Sequence, residues 1–141
     1  MYTTRRRPNF VFIDYSGIYY TSLQNSSVPL KRSGKFVQIR HSGAEYLLLS
    51  PVELSPYHAN IAEKFFSGQN ISGMFNKKQD YFECFDPGWE ITGGGIWSIN
   101  EKEKSLYLSG SSQAYGKYDG SGLKENIVGV KGFEDYSVGI D

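Results

Sequence analysis

Apolar and polar residues alternate with a period of two in several short stretches of the chain, and this period predicts β-strands. The clearest alternation covers residues 35–40, KFVQIR, while the apolar run at 44–49, AEYLLL, is typical of a buried strand. The 11 tyrosines and 16 glycines also favour strands and turns over helices. Further strands are predicted at residues 9–14, 18–21, 81–85, 96–99, 105–108 and 136–140.

Apolar residues spaced by three or four positions predict two helices. The first covers about residues 56–67, with Ser55 as its N-cap, Pro56 at the first helical position and Gly68 just past its end. The second covers about residues 123–131. Polar segments at 23–33 and 69–79 are predicted as loops. Helices interspersed among several strands favour an α+β or mixed α/β fold.

Length and charge narrow the class of protein. The 141 residues suit one domain, predicted over residues 9–141 after a flexible tail at 1–8 that carries Arg5-Arg6-Arg7. The 15 basic and 15 acidic residues cancel, so no overall field attracts nucleic acid or a membrane. The single Cys84 favours a reducing compartment, and no apolar run suits a membrane span or a signal peptide. We therefore expect a cytoplasmic monomer that binds neither nucleic acid nor a membrane.

The start of the first predicted helix carries the strongest candidate for chemistry. There His58 is at about the third helical residue, among free backbone N–H groups and the positive end of the helix dipole. The dipole disfavours imidazolium, so the ring should stay neutral and accept a proton, and the same N–H groups attract a phosphate. A neutral base beside an anion site suits a phosphoryl-group hydrolase. The alternative is a half-exposed helix histidine with no chemical task.

Two glycine-rich segments are candidate anion sites. Residues 92–95, TGGG, lie between two strand-like runs, where the N–H groups of Gly94 and its neighbours could approach a ligand closely. A loose turn or a bulge is the alternative for that segment. Residues 110–116, GSSQAYG, combine small side chains with exposed backbone donors, although a flexible connection would have the same composition.

Other chemistries are disfavoured by spacing. His41, His58 and Cys84 are too far apart for a zinc motif, so no metal or other cofactor is predicted. The chain has no nucleophile elbow, P-loop or dinucleotide fingerprint. Cys84 lies in an aromatic strand without a following arginine-lined loop, which favours a structural thiol over a cysteine phosphatase.

Four segments, taken in order, resemble the 14-kDa phosphohistidine phosphatase family, also called the Janus/Ocnus family. They are KFVQIR at 35–40, YHANI at 57–61, TGGG at 92–95 and LSGSSQAYG at 108–116. The family pattern is a lysine opening a strand that ends in Ile-Arg, then Tyr-His-Ala-Asp/Asn, then three glycines, then Gly-x-Ser-x-Ala-Tyr-Gly. The likeness extends from about Gly34 to the end of the chain, with FEDYSV at 133–138 also similar.

The resemblance implies a fold, an activity and a site. The fold is a small mixed sheet flanked by two helices, and the activity is metal-independent hydrolysis of phosphohistidine on proteins. His58 matches the catalytic histidine, taken here as a general base, and Lys35 matches the phosphate-binding lysine. Ser112 and Ala114 match positions whose side chain or backbone N–H holds the phosphate, and Gly94 belongs to the triple glycine.

The chain departs from the family pattern at two places. Family members often carry an arginine directly after the triple glycine, where this chain has Ile96, and some carry a basic residue near positions 50 and 51, here Ser50 and Pro51. An arginine supplies bidentate, charge-assisted bonds to phosphate. A second hypothesis therefore stands beside the phosphatase: a phosphate- or phosphoprotein-binding module of the same fold with little or no turnover. A third is a structural or interaction domain, in which the aromatic surface would be the functional part.

Overall fold

A computed structural model of the protein describes residues 9–141. Its strands are β1 (Phe10–Asp14), β2 (Lys31–His41), β3 (Ala44–Pro51), β4 (Gly73–Phe75), β5 (Phe82–Cys84), β6 (Trp89–Asn100), β7 (Ser105–Ser109) and β8 (Ser137–Ile140). The α-helices are α1 (His58–Gly68) and α2 (Leu123–Val128), and a π-helix covers Ile18–Leu23. The predicted tail at residues 1–8 lies outside the described residues.

Six strands form one mixed sheet in the order β1-β3-β2-β6-β7-β8. The outer pairs, β1 with β3 and β7 with β8, are parallel, while the inner pairs are antiparallel. The short strands β4 and β5 form a separate hairpin. The α+β prediction is confirmed, with a mixed sheet and helices as expected. Within residues 9–141, every helix is too short or too polar to reach across a bilayer.

The two faces of the sheet carry separate cores. One core packs α2, through Leu123 and Ile127, against buried residues that include Phe36 and Trp97. The other packs α1 against Val37 and neighbouring strand residues on the opposite face. Side chains alternate between the faces along β2, so the pattern at residues 35–40 serves both cores at once.

The chain after β1 turns into a helix, so the predicted strand at 18–21 is wrong. Aromatic and β-branched residues favour a strand there by propensity alone. The main chain instead bends after Tyr15, whose N–H donates to Leu49 O at 2.8 Å. Asp14 accepts the Ser16 N–H at 2.9 Å, and the Thr21 hydroxyl donates to Gly17 O, so local hydrogen bonds stabilise the turn and the π-helix.

Several other boundaries differ from the prediction: β2 begins at Lys31, inside the predicted loop at 23–33, β6 begins at Trp89, and α2 ends at Val128. Helix α1 begins at His58 with Tyr57 as its N-cap, so His58 is the first helical residue instead of the third. Ser55 does not cap it, because the Ser55 hydroxyl is buried and accepts a hydrogen bond from Ser50 at 2.8 Å. The predicted loop at 69–79 contains β4, whose three residues are too few to show a period of two.

Candidate active site

A cleft of about 560 Å³ opens where the start of α1 meets the sheet. Three of the five residues singled out as candidate site residues, Lys35, His58 and Ala114, line this cleft. Its remaining lining residues are Tyr57, Asn76, Asp80, Tyr81, Ile96, Ser111 and Gln113. Segments far apart in sequence therefore meet at one opening.

His58 is held in place at the floor of the cleft by its own helix and by β6. The helix start is fixed by Asn60, whose side-chain oxygen accepts the Tyr57 N–H at 2.9 Å. The His58 side chain turns inward and is only 8% exposed. Its Nε2 lies 3.0 Å from Gly95 O. A carbonyl only accepts hydrogen bonds, so Nε2 carries the proton in the neutral ring, and Nδ1 has the lone pair that can accept another.

The surroundings of His58 keep the ring neutral. Burial lowers the pKa of His58 below its usual 6.5, and the nearby charge of Lys35 lowers the pKa further. The hydrogen bond to Gly95 O raises the pKa of His58 and offsets part of this decrease. The direction agrees with the expectation from the helix dipole, but the largest cause is desolvation. The imidazole is therefore a neutral base at pH 7.

The triple glycine has a different part from the one expected. It lies inside β6, where the register with β2 shifts between Gln38 and Ile39, so the bulge alternative is correct for this segment. The Gly94 N–H donates to Gly116 O at 3.1 Å and is not directed at an anion. A Cβ added at Gly94 would lie 2.6 Å from Phe36 O and 2.8 Å from Cδ2 of His58. Gly94 therefore makes room for both the neighbouring strand and the histidine ring.

Lys35 reaches the cleft from β2, where it lies opposite Ser50 and Ile96 on the two neighbouring strands. Its Nζ donates to Pro56 O at 2.7 Å and lies 5.6 Å from the centre of the Tyr57 ring. Below it, the fully buried Trp97 donates from Nε1 to Lys35 O at 3.0 Å. These contacts place one positive charge beside the start of α1, which suits a phosphate.

The loop after β7 brings Ala114 to the cleft but turns the Ser112 side chain away from it. Ser112 is 3% exposed, and its hydroxyl accepts the Tyr115 N–H at 3.1 Å. Its backbone is paired with Gly116 in both directions. We therefore assign the Ser112 hydroxyl to closing the loop, while its contact with phosphate stays a prediction. Within residues 9–141, the backbone N–H groups of Gln113 and Ala114 have no hydrogen-bond acceptor.

The β4–β5 hairpin forms a side of the cleft that sequence reasoning missed. Asn76 organises its tip by donating to the Asp80 carboxylate at 2.7 Å and accepting the Tyr81 N–H at 3.1 Å. Tyr115 joins this hairpin to the loop after β7, because its hydroxyl donates to Phe82 O at 2.8 Å. Burial raises the pKa of Tyr115 to about 12, so this hydroxyl stays protonated. The turn-forming pair Asn76 and Asp80 was the one available signal.

The cleft therefore has two unlike sides. We call Lys35, His58 and Gly94–Gly95 the inner wall, and the hairpin tip at 76–81 with the loop at 111–114 the outer wall. The inner wall offers a neutral base and a cation, while the outer wall offers backbone N–H groups and exposed polar side chains. Ile96 lies at the rim and is 52% exposed. In the part of the chain described, no three His, Cys, Asp or Glu side chains are grouped to hold a metal ion.

Comparison of the sequence with models of protein families and with curated proteins gives no match.

Proposed function

We propose that the protein is a metal-independent protein phosphohistidine phosphatase in which His58 is the general base. The observation that carries the proposal is the His58 ring, fixed through Nε2 to Gly95 O in the cleft that Lys35 and Ala114 also line. A buried, neutral imidazole with an available nitrogen beside a cation combines a base with an anion site. The family resemblance supplies the substrate class.

The phosphoryl group of the substrate binds between the two walls. The Lys35 ammonium and the N–H groups of Gln113 and Ala114 donate to its oxygens, as does the open start of α1. These donors are fixed by the fold before substrate arrives, so little reorganisation is needed as charge develops on the phosphoryl oxygens.

His58 then assists the attack of water on phosphorus. Nδ1 takes one proton from the water while its oxygen bonds to phosphorus and the P–N bond breaks. His58 then passes this proton to the nitrogen of the leaving imidazole of the substrate. The products are inorganic phosphate and the unmodified histidine side chain of the substrate. The P–N bond is labile, so positioning of water and neutralisation of charge provide sufficient catalysis.

The same proposal includes the substrate, its compartment and the oligomeric state of the enzyme. The substrate is a histidine-phosphorylated protein in the cytoplasm, the enzyme acts as a monomer, and no cofactor takes part. The net charge of zero agrees with a partner that is neither nucleic acid nor a membrane.

A binding module with little turnover is the second candidate, and Ile96 is the observation that favours it. This residue lines the cleft at the position where family members often carry an arginine. Its apolar side chain gives no hydrogen bond to a phosphoryl group, so Lys35 is the one Lys or Arg side chain that residues 9–141 contribute to the cleft lining. Binding could persist on that charge while the transition state loses a bidentate donor.

Release of phosphate from a phosphohistidine-bearing protein or peptide tests the proposal. The purified protein should release inorganic phosphate, and excess EDTA should leave the rate unchanged. Absence of release, with retained binding of a phosphohistidine analogue in this cleft, would identify the binding module. Absence of both release and binding would contradict both candidates.

A further inference from the structure

The sheet face that carries the cleft is covered along only part of its length. Helix α1 packs over Val37, Ile39 and Leu48, where the strand side chains are fully buried. Beyond Lys35 towards the start of β2, the same face continues without a helix above it. The cleft lies at the boundary between the covered and the uncovered parts.

Alternation along the strands identifies the side chains of the uncovered part. Lys35, Ser33 and Lys31 of β2 lie opposite three residues of β6 and point to the same face. These partners on β6 are Ile96, Ser98 and Asn100. We call these six residues the open platform.

The open platform is shaped and charged for a polar partner. A depression of about 320 Å³ lies at its far end, lined by residues that include Lys31, Ser33 and Asn100. Among residues 9–141, the Lys31 side chain has no ion-pair partner. The carboxylate of Glu101, which follows Asn100 in the chain, is paired with Arg32. The β2 side of the platform is therefore cationic.

Geometry fixes the spacing between the cleft and this depression. Lys31 and Lys35 are four residues apart in one strand, which corresponds to about 13 Å. An extended peptide covers the same distance in four residues, and side chains four apart point to the same side. Towards Val37 the path is closed by α1, so an extended segment leaves the cleft along the open platform.

We infer that the open platform binds the polypeptide segment next to the phosphohistidine and selects an acidic side chain four residues away, which pairs with Lys31. The inference rests on the proposed function for its phosphohistidine anchor. Lys35 and Ile96 line the cleft and also belong to the platform, so one segment contacts both surfaces without a break. The charge of Lys31 selects a carboxylate over a neutral amide. A bound substrate segment runs in one direction along the platform. The acidic residue is therefore effective either before or after the phosphohistidine, not at both positions.

Matched peptides test the selection. Each carries one phosphohistidine in a Gly- and Ser-rich sequence, with Glu or Gln four residues before or four residues after it. At one of the two positions, the Glu peptide should have a kcat/KM about two- to fivefold above the Gln peptide, the range of an exposed ion pair. This ratio should decrease as salt is added, because exposed pairs are screened. Lys31→Glu should invert the ratio in favour of Gln.

Lys124→Glu is the control, since it makes the same charge change on α2, over the opposite face. The control should keep the wild-type ratio. Equal rates for Glu and Gln peptides, or the same change of ratio in both variants, would contradict the inference. A second copy of the chain as the occupant would appear as a dimer in sedimentation that Lys31→Glu dissociates, which would also overturn it.

Hydrolysis of the phosphohistidine peptides by the wild type separates this inference from the proposed function. If neither the Glu peptides nor the Gln peptides release phosphate, the phosphatase proposal fails. The platform is then tested by the affinity of the same peptides with phosphoryltriazolylalanine in place of phosphohistidine. A preference for Glu that Lys31→Glu inverts would support the platform, while its absence would overturn the platform separately.

Discussion

The two walls of the cleft differ in how the fold builds them. The inner wall consists of core elements: the His58 ring is buried, its Nε2 is bonded to Gly95 O, and Gly94 has no side chain that could displace it. The outer wall consists of a hairpin tip and a loop, with exposed side chains such as Asp80 and Gln113. Chemistry that needs a fixed, desolvated base belongs on the inner wall. Side-chain contacts that can vary with the substrate belong on the outer wall, beside its backbone N–H donors.

Substitution of the base should have the largest effect. His58→Gln keeps an N–H that can donate to Gly95 O but removes the basic nitrogen, so the phosphohistidine hydrolysis rate should fall about 10²- to 10⁴-fold. The matched control is His41→Gln, because the His41 ring stacks on Trp89 outside the cleft, with 3.9 Å between the ring centres. This control should leave the rate unchanged. Retained activity in His58→Gln, measured as phosphate release, would remove His58 from the mechanism.

Crowding the base without replacing it should have the next largest effect. Gly94→Ala puts a methyl group 2.6 Å from Phe36 O and 2.8 Å from Cδ2 of the His58 ring, so both the strand backbone and the ring have to shift. A shift of about 1 Å can cost about 10²-fold in rate, and the variant should also unfold at a lower temperature. Gly68→Ala is the control, because an added Cβ there meets no atom within 4 Å. Wild-type kinetics in Gly94→Ala would show that the ring position is not constrained by this glycine.

Removal of the positive charge should have a smaller effect on rate and a distinct effect on pH dependence. Lys35→Met should lower kcat/KM by at least about tenfold, because a hydrogen bond to a charged group contributes about 1.5–3 kcal/mol. The Lys35 charge lowers the pKa of His58, so its loss should raise that pKa and move the acid limb of the rate profile to higher pH. Lys124→Met should change neither quantity. An acid limb that stays at the wild-type pH would contradict the coupling.

A change on the outer wall should have the smallest effect, and its sign is opposite. Asp80 lines the cleft and its carboxylate repels a phosphoryl group, so Asp80→Asn should lower KM with little change in kcat. The decrease in KM should be within about fivefold, since the Asp80 carboxylate and the phosphoryl group are both solvated. Glu83→Gln, on the exposed side of β5, is the matched control. A large loss of kcat in Asp80→Asn would place chemistry on the outer wall and end the distinction between the walls.

The inner wall could be predicted from the sequence because its residues lie in short, ordered patterns. The alternation at 35–40 located β2, and the Ser-Pro-Tyr-His segment located a helix start within two residues of its position. The pattern did not reveal what Gly94 does, because close packing against His58 is a contact between β6 and α1. A bulge and an anion site need the same glycines, so local sequence does not separate them.

The outer wall was predicted less well because its contacts are not periodic. Tyr115 donates to Phe82 O across 33 positions of sequence, and no local pattern reports such a bond. The side chain or the backbone N–H of Ser112 was expected to hold phosphate, and the fold adds a second task, because the Ser112 hydroxyl accepts the Tyr115 N–H in its own turn. Serine serves both purposes equally well in a loop, so only the fold decides between them.

The protonation state of His58 can be measured directly by ¹⁵N NMR of the imidazole during a pH titration. The inner wall predicts a neutral ring at pH 7 with the proton on Nε2 and a pKa below 6.5, which rises in Lys35→Met. An imidazolium ring at pH 7, or a proton on Nδ1, would leave no basic nitrogen in the cleft. Either result would contradict His58 as the general base.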